Sequence, residues 1–187
     1  GVACPETEEQ VSDLIDYGVR DGVKLIPFGG GTSVVGHINP KPDSGPTVSV
    51  DMRHMTGLID LDRDSLLATF GAGTTGPDLE AQLKRYGLTL GHFPQSFEYS
   101  TLGGWIATRS SGQQSYYYGR IEDTFAGGRL LAPAGLVDLP ALPASAAGPD
   151  LRHLGLGSEG RFGVLTQATM RVRPLPPPEG VYACFFR

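Results

Sequence analysis

The chain has 187 residues, of which 40% are hydrophobic and 19% are charged, and its formal net charge is −5 at pH 7. A globular chain of this length buries roughly 70% of its unfolded surface, so it can form a sizeable core. No apolar run approaches the ~20 residues of a membrane-spanning helix, and a spread negative charge argues against nucleic acid as a partner, because nucleic-acid-binding proteins present a basic face.

The first predicted element is a helix that begins after Thr7 and ends at Gly22. Thr7 and Gln10 have the spacing of a capping box, and glycine commonly ends a helix. The hydrophobic face of this helix is expected to comprise Val11, Leu14, Ile15 and Val19. A buried strand is predicted at 23–26 and a second strand at 47–51, which together with the helix indicates a small α/β lobe.

The glycine-rich stretch between these two strands reads Pro27-Phe28-Gly29-Gly30-Gly31-Thr32-Ser33. Three consecutive glycines carry no Cβ atoms, so successive backbone N–H groups can turn inward around an anion, and the two hydroxyl groups add donors. A phosphate or diphosphate suits such a loop, and a branched side chain at Gly30 is expected to block it. A plain turn between strands is the alternative. The stretch matches neither the Walker A motif nor the dinucleotide fingerprint.

The next predicted elements are two short strands within 58–70, on either side of an acidic turn at 60–64. A second helix is expected to open at Thr75-Gly76-Pro77, with proline at its first position, and to end at Gly87. Its inward-facing residues are expected to be Leu79, Leu83 and Tyr86.

A return strand is predicted at 88–90, and after a loop Ser100 or Thr101 can cap a third helix. The start of such a helix would present about half a positive charge to an anion. Two glycines inside this helix, Gly103 and Gly104, each cost roughly 1 kcal/mol relative to alanine. We therefore expect a backbone segment or a flat ligand to pack close against them.

The last third of the chain predicts mainly strands. The aromatic tract at 115–118 suits a strand or loop that packs its rings on the core, with stacking on a ligand as the alternative. A hairpin is predicted from 130–132 and 136–139. The final strand, at 163–172, alternates inward-facing residues at Val164, Thr166, Ala168, Met170 and Val172.

Catalytic groups are sparse. The four histidines are His37, His54, His92 and His153. Their scattered positions predict no metal site. Cys4 and Cys184 stand at opposite ends of the chain, which predicts two unpaired thiols. The acidic pair Glu122-Asp123 suits a solvated turn as well as a ligand contact. Residue chemistry alone therefore supports an anion or nucleotide site and assigns no reaction.

Five sequence blocks that stand in order along the chain carry a resemblance. They are Pro27 to Ser33, Gln95 to Gly112, Tyr118 to Asp123, Gly148 to Asp150, and Gly157 to Gly160. Together they resemble the FAD-binding domain of the vanillyl-alcohol oxidase and p-cresol methylhydroxylase superfamily. Within that superfamily the chain is most similar to the alkyldihydroxyacetonephosphate synthase family and its bacterial FAD-linked relatives.

The resemblance implies an α+β fold of two lobes with FAD between them. A small parallel sheet is expected in the first lobe, about 1–55, and a larger, mainly antiparallel sheet in the second, about 56–176. The FAD-binding domain would then occupy 1–180. Residues 181–187 resemble the opening of a further strand, and we expect them to begin a substrate or cap domain of a longer protein.

The resemblance also implies the residues that contact FAD. They are Pro27, Phe28, Gly29, Gly30, Gly31, Thr32, Ser33, Gln95, Ser96, Tyr99, Ser100, Thr101, Gly103, Gly104, Thr108, Arg109, Ser110, Ser111, Gly157, Ser158, Glu159, Gly160 and Gly163. The glycine loop would hold the diphosphate. Many relatives attach flavin covalently through a histidine in or near this loop, whereas glycines stand there in this chain, so FAD is expected to be non-covalent. His37, Arg161 and Phe162 depart from the residues common in the family.

The activity implied for the parent protein is the exchange of an acyl chain for a fatty alcohol on dihydroxyacetone phosphate, in ether-lipid synthesis. Its catalytic residues would lie outside this chain, which alone would bind FAD and catalyse nothing. A first alternative is an FAD-dependent 2-hydroxy-acid dehydrogenase or oxidase of the same superfamily. A second is a nucleotide- or anion-binding module without flavin. A small-molecule substrate, no nucleic-acid partner, no transmembrane segment and a cytoplasmic location are expected.

Overall fold

The computed structural model describes residues 1–177, 180 and 182–186. The strand predicted at 181–187 lies partly outside these residues, and 182–186 form no helix or strand. Where the first lobe ends and whether a further domain begins at residue 181 both stay predictions. Among the helices of the described residues, none is both long enough and apolar enough to cross a membrane.

A three-stranded parallel sheet stands near the start of the chain. It comprises β1 (Val2–Ala3), β2 (Lys24–Phe28) and β3 (Thr47–Asp51), in the order β1-β3-β2. The predicted strands at 23–26 and 47–51 are confirmed, although β2 is only partly buried and continues through Phe28. The chain returns from β2 to β3 through a long loop, which contains the glycines. A short 3₁₀ helix, Met52–His54, follows β3.

Helix α1 (Glu8–Asp21) packs beside this sheet. Its start is confirmed, because Thr7 Oγ1 accepts a hydrogen bond from the Gln10 backbone N–H at 3.3 Å. Gly22 ends the helix in the left-handed conformation, with φ at 66°. The buried residues are Val11, Ile15 and Gly18. The expected burial of Val19 is wrong, since this side chain is 65% exposed on the outer side.

A five-stranded sheet forms the larger part of the molecule. Its strands are β4 (Leu58–Asp62), β5 (Leu67–Gly71), β7 (Phe125–Ala132), β8 (Gly135–Leu139) and β9 (Val164–Arg171). Their order is β4-β5-β9-β7-β8, and every neighbouring pair is antiparallel. Strand β9 alternates buried and half-buried residues as predicted. The predicted α+β fold, a small parallel sheet with a larger antiparallel one, is confirmed.

Short helices and one further strand pair complete the fold. The helices are α2 (Gly76–Lys84), α3 (Leu102–Ala107), α4 (Ser115–Tyr118), α5 (Ile121–Thr124) and α6 (Arg152–Gly155). Strand β6 (Leu88–Thr89) pairs antiparallel with β10 (Arg173–Pro174). This pairing confirms the predicted return strand after α2.

Three sequence predictions about side-chain packing have clear outcomes. Tyr86 lies beyond the end of α2 and is 45% exposed, so its expected burial is wrong. The tract at 115–118 is one helical turn and not a strand; Tyr116 and Tyr117 are mostly exposed, whereas Tyr118 is half-buried and packs against Gly91. Cys4 and Cys184 are unpaired and exposed, as predicted.

The core has two hydrophobic clusters. The larger lies between the five-stranded sheet and helices α2 and α3, and it includes Phe70, Leu79, Leu83, Ile106, Phe125 and Met170. The smaller takes residues from both sheets and from α1: Val11, Ile15, Val50, Met52, Met55, Leu131 and Val164. Because β3 and α1 share this cluster with β7 and β9, the two sheets pack on a common core. That packing creates a cleft between the glycine-rich loop and the start of α3.

Glu8 links α1 to the five-stranded sheet. Its carboxylate pairs with the Arg129 guanidinium and accepts a hydrogen bond of 2.6 Å from the buried Thr166 hydroxyl. A Glu8→Ala variant is therefore expected to lower the free energy of unfolding by about 2 kcal/mol, measured by urea denaturation, because the ion pair with Arg129 and one charge-assisted bond from a buried hydroxyl are lost. Glu9→Ala, on the exposed side of the same turn, is the matched control. Equal stability of the two variants would contradict this role.

Candidate functional site

A cleft of about 440 Å³ lies between the glycine-rich loop and three other segments. These segments are the loop and helix start at 96–104, the turn at 108–111 and the stretch at 158–163. Residues far apart in sequence meet here because β2 ends opposite α3 and β9 starts beside both of these elements. Every site residue predicted from the sequence lines this cleft except Gln95, Tyr99 and Gly157.

The structure places these three residues elsewhere. The side chains of Gln95 and Tyr99 are exposed, the latter by 72%. Gly157 lies behind the cleft wall, where its N–H donates to the Ile106 carbonyl at 3.0 Å. None of the three is part of the cleft surface, and Tyr99 contributes only its backbone to the wall's support.

Sequence reasoning missed the apolar part of the cleft. The additional lining residues are Val34, Val35, His37, Ile38, Met52, Ala72, Trp105, Ala107, Leu130, Gly155, Val164 and Leu165. Most of these are small or apolar residues of the kind that also fill cores, so no local signal separates a cleft wall from an interior. The alternation in β9 correctly predicts that Val164 faces inward. It does not predict that Val164 borders an open cleft.

The backbone of the glycine-rich loop has N–H groups that are available to a ligand. Within the part of the chain that the structure describes, the N–H groups of residues 30–33 donate to no protein acceptor. The loop also passes very close to the opposite wall at Gly30. A Cβ added there would overlap the Tyr99 carbonyl and lie 2.9 Å from Ser100 Cα. The expected effect of a side chain at Gly30 is thus corrected: it would strike the protein backbone before any ligand.

The start of α3 is used differently from the prediction. The Leu102 N–H donates to the Thr74 carbonyl at 2.9 Å and the Gly103 N–H to the Ala72 carbonyl at 2.7 Å. These donors of a six-residue helix are therefore satisfied, and they do not face an anion. The close backbone expected beside Gly103 is confirmed as Ala72, whose Cβ would lie 3.0 Å from a Cβ at that position.

Four of the hydroxyl groups along the cleft fall into two classes. Ser100 donates to the Ser96 carbonyl at 2.8 Å and accepts from Trp105 Nε1 at 2.7 Å, so its hydrogen is committed to the protein. Thr108 is likewise committed, to the Gly104 carbonyl. A second class comprises Thr101 and Ser158, which are 2% and 8% exposed and whose hydroxyls have no protein partner among the described residues. Among the described residues neither oxygen is a fully buried atom without a partner, so each hydroxyl is accessible and can donate to a ligand in the cleft.

Three ionisable side chains are part of the cleft wall that the structure describes. Arg109 donates to His153 Nδ1 at 2.8 Å and lies 3.8 Å from the Glu122 carboxylate. His37 Nδ1 lies 3.1 Å from Ser33 Oγ and 3.8 Å from the Glu159 carboxylate across the cleft. Arg109 is the permanent cation of this wall.

The acidic pair at 122–123 belongs to a turn. Asp123 accepts a hydrogen bond from the Arg120 N–H at 2.8 Å, which closes the first turn of α5. The Glu122 carboxylate lies 3.5 Å from the Arg120 guanidinium. Neither acidic residue lines the cleft, so the turn and not the ligand contact is the alternative that the geometry favours.

His92 lies directly behind the part of the cleft wall that contains Ser110. It is 2% exposed, and its ring centroid is 5.0 Å from that of Trp105. Its Nε2 atom lies 3.0 Å from Ser110 Oγ, while Nδ1 has no partner within the described residues. Burial disfavours the charged imidazolium and lowers the pKa of His92 from 6.5 to about 4. His92 is therefore neutral near pH 7.

This lowered pKa predicts that the protein loses stability in mild acid. The unfolded chain takes up a proton at this histidine before the folded chain does, so the free energy of unfolding is expected to fall between about pH 6.5 and 4, by up to roughly 3 kcal/mol. Urea denaturation at a series of pH values measures this fall. A His92→Phe variant should lack this component of the slope; an unchanged slope in that variant would contradict the assignment.

Comparisons with known proteins agree with this geometry. A family model described as FAD binding domain matches residues 1–139. The chain is 42% identical over 185 residues to the alkyldihydroxyacetonephosphate synthase of Dictyostelium discoideum, which covers 99% of this chain and 30% of that protein. A solved structure of an alkyldihydroxyacetonephosphate synthase matches with a TM-score of 0.89 at 42% identity, over 95% of this chain and 32% of that one.

A second class of relative is less similar. The mitochondrial D-lactate dehydrogenase (cytochrome) 1 of Saccharomyces cerevisiae is 33% identical over 188 residues, which covers 99% of this chain and 32% of that protein. The chain thus spans about a third of the length of these relatives. Because the family model covers well over half of the chain and the solved structure has the same fold, the chain belongs to the FAD binding domain family.

Proposed function

We propose that the cleft binds FAD non-covalently, with the diphosphate against the glycine-rich loop. The observation that carries this proposal is the run of unpaired backbone N–H groups at residues 30–33, beside a cleft in a chain of this family. Consecutive backbone N–H groups form a concave site for phosphate oxygens. The Leu102 and Gly103 N–H groups at the start of α3 are already paired with the protein and are not part of this anion site.

Other features of the cleft suit the same cofactor. Its volume of about 440 Å³ lies within the range of small-molecule and cofactor sites. The free hydroxyls of Thr101 and Ser158 can donate to phosphate or ribose oxygens, and the apolar wall around Leu130 and Val164 can receive a flat ring. When bound, a flavin supplies reversible hydride or electron transfer. The residues of this chain bind and orient it and exclude water from it.

The test is direct and uses the 187-residue chain. Purified protein is mixed with FAD, and binding is followed by the change in flavin fluorescence; the protein is then denatured and filtered. We expect saturable uptake and complete release of the flavin into the filtrate. Failure to bind added FAD would contradict the cofactor, whereas flavin retained by the denatured protein would contradict only the non-covalent mode. Binding of pyrophosphate or ADP with no uptake of FAD would favour the anion-binding module.

For the parent protein, we propose acyl-to-alkyl exchange on an acylated dihydroxyacetone phosphate. The support is the 42% identity to an alkyldihydroxyacetonephosphate synthase over almost the whole chain. The 33% identity to a D-lactate dehydrogenase favours a 2-hydroxy-acid dehydrogenase as the second candidate. Assays of a protein that contains this domain decide between them: incorporation of a labelled fatty alcohol for the first, reduction of a dye by D-lactate for the second. The small-molecule substrate and the cytoplasmic location stay predictions.

Thr101 provides a test of the cleft itself. A Thr101→Val variant keeps the shape of the side chain and removes a hydroxyl donor that lines the cleft and lacks a protein partner among the described residues. We expect the Kd for FAD to rise by about three- to tenfold, as for loss of one hydrogen bond, with little change in thermal stability. Thr108→Val, on the same wall but with its hydroxyl committed to Gly104, is the control and should change the Kd less. Equal effects of the two would contradict a role for the Thr101 hydroxyl.

A further inference from the structure

The buried His92 and the half-buried Ser110 form a pair, and the FAD contact predicted for Ser110 does not explain the role of His92. Ser110 lines the cleft, and His92 lies behind it without reaching the cleft surface. The Ser110 backbone is held on both sides, since its N–H donates to Trp105 O at 2.9 Å and its carbonyl accepts from the Ile121 N–H at 3.2 Å. The serine hydroxyl is therefore held between the imidazole and the cleft.

The neutral imidazole can occupy two tautomers. If Nδ1 carries the proton, a buried N–H is left without an acceptor, and Nε2 accepts from the serine hydroxyl. If Nε2 carries the proton, it donates to Ser110 Oγ, and only a lone pair on Nδ1 is left unpaired. Buried N–H groups without partners are rarer than incompletely satisfied acceptors. The Nε2–H tautomer is therefore favoured, and the doubly protonated form is disfavoured by burial.

The tautomer decides what Ser110 can do. A hydroxyl has one hydrogen, and in the Nδ1–H form this hydrogen would point backwards to His92. In the Nε2–H form the oxygen accepts from His92, so the hydrogen is free to turn away from the imidazole. Among the described residues, His92 is the only side-chain partner of Ser110 Oγ, and because Ser110 lines the cleft, its hydrogen can be donated to an acceptor there.

We propose that His92 is a positioning residue, which donates its Nε2–H to Ser110 Oγ and thereby presents the serine hydroxyl as a hydrogen-bond donor to an acceptor atom of the dinucleotide bound in the cleft. This inference rests on the proposed function for the identity of the ligand. The orientation of the hydroxyl is a property of the chain alone.

The first measurement therefore needs no ligand. Nitrogen-15 NMR of the imidazole in the 187-residue chain, assigned by comparison with His92→Phe, reports which ring nitrogen carries the proton. We expect protonated Nε2 and bare Nδ1 near pH 7. Protonation at Nδ1 would overturn the inference, whether or not the chain binds FAD.

The second measurement is a double-mutant cycle on the Kd for FAD. Ser110→Ala is expected to raise the Kd by about three- to tenfold, as for one hydrogen bond. His92→Phe should have a similar effect in the wild-type background and almost none in the Ser110→Ala background, because it acts through the serine. His92→Gln, which can place an N–H donor near the position of Nε2, should restore most of the affinity.

The outcomes separate the two proposals. Equal loss from His92→Phe in both backgrounds, or no rescue by glutamine in a variant that unfolds at the wild-type temperature, would overturn the positioning role while FAD binding stands. A wild-type chain that takes up no FAD would overturn the proposed function and the ligand half of this inference. The tautomer measurement would still decide the half that concerns His92 and Ser110.

Discussion

A Gly30→Val variant is expected to lose measurable FAD binding, with at least a hundredfold rise in Kd, and to unfold about 4 kcal/mol more easily than the wild type. The physical reason is steric. A Cβ at this position would overlap the Tyr99 carbonyl and approach Ser100 Cα to 2.9 Å. Both are backbone atoms, which cannot rotate away, so the two walls of the cleft would have to separate. The unpaired N–H groups at 30–33 would move with the loop.

Urea denaturation and FAD titration of the same preparation measure both effects. Gly45→Ala is a control for the backbone effect of removing a loop glycine, because an added Cβ there meets no heavy atom within 4 Å and Gly45 does not line the cleft. That control should be mildly destabilised by its positive φ of 82° but should bind FAD like the wild type. Normal FAD affinity in Gly30→Val would show that the glycine-rich loop does not hold the ligand.

A Gly155→Leu variant is expected to fold normally and yet to bind FAD at least a hundredfold more weakly. Gly155 is buried in the wall of the cleft at the end of α6, but an added Cβ would meet no heavy atom within 4 Å. A side chain at this position therefore extends into open space. Because a leucine would occupy volume that the ligand needs, binding falls while the protein's own packing is unchanged.

The size of the substituent is the control for this prediction. Gly155→Ala adds a single methyl group and should weaken FAD binding only by several-fold, with thermal unfolding close to that of the wild type. Comparable affinities for the alanine and leucine variants would contradict the placement of the ligand beside Gly155. The pair Gly30→Val and Gly155→Leu separates loss of binding through disruption of the fold from loss of binding through occupied space.

Periodic patterns in the sequence predicted the regular elements well. Helix α1, strand β3 and strand β9 depend on local spacing of apolar residues and on a capping threonine, and all three formed as expected. Errors arose where a residue stood beside the buried face of a helix, or where a helix ended earlier than predicted. Val19 falls just outside the buried face of α1, because Gly18 packs beside β2 instead, and Tyr86 follows the last turn of α2.

The aromatic tract at 115–118 failed for a different reason. Tyrosines favour strands on average, but here Ser115 Oγ accepts a hydrogen bond of 2.7 Å from the Gly112 N–H, which closes the turn just before the helical residues 115–118. Such a local bond competes with the weak preference for a strand. The Tyr117 and Tyr118 rings meet edge to face with centroids 4.9 Å apart, and the Arg173 guanidinium lies 5.7 Å from the Tyr118 ring centroid.

The candidate site likewise has a part that the sequence predicted and a part that it did not. Glycines and hydroxyl residues in ordered blocks pointed from the sequence to the polar part of the cleft, because anion binding needs those residue types. The sequence did not distinguish Ser100, whose hydroxyl serves Trp105, from Thr101, whose hydroxyl is free. Adjacent residues of similar chemistry acquire different roles only through the neighbours that folding brings to them.

The sequence by itself determined the family resemblance, the α+β composition and the position of the glycine-rich loop, since each depends on residue types and spacings along the chain. Only the tertiary structure decided that Gly30 packs on the Tyr99 carbonyl, that Gly155 borders open space and that His92 is buried behind Ser110. These facts concern distances between segments far apart in the chain. Such distances are set by the packing of the two sheets on their shared core, for which no local pattern codes.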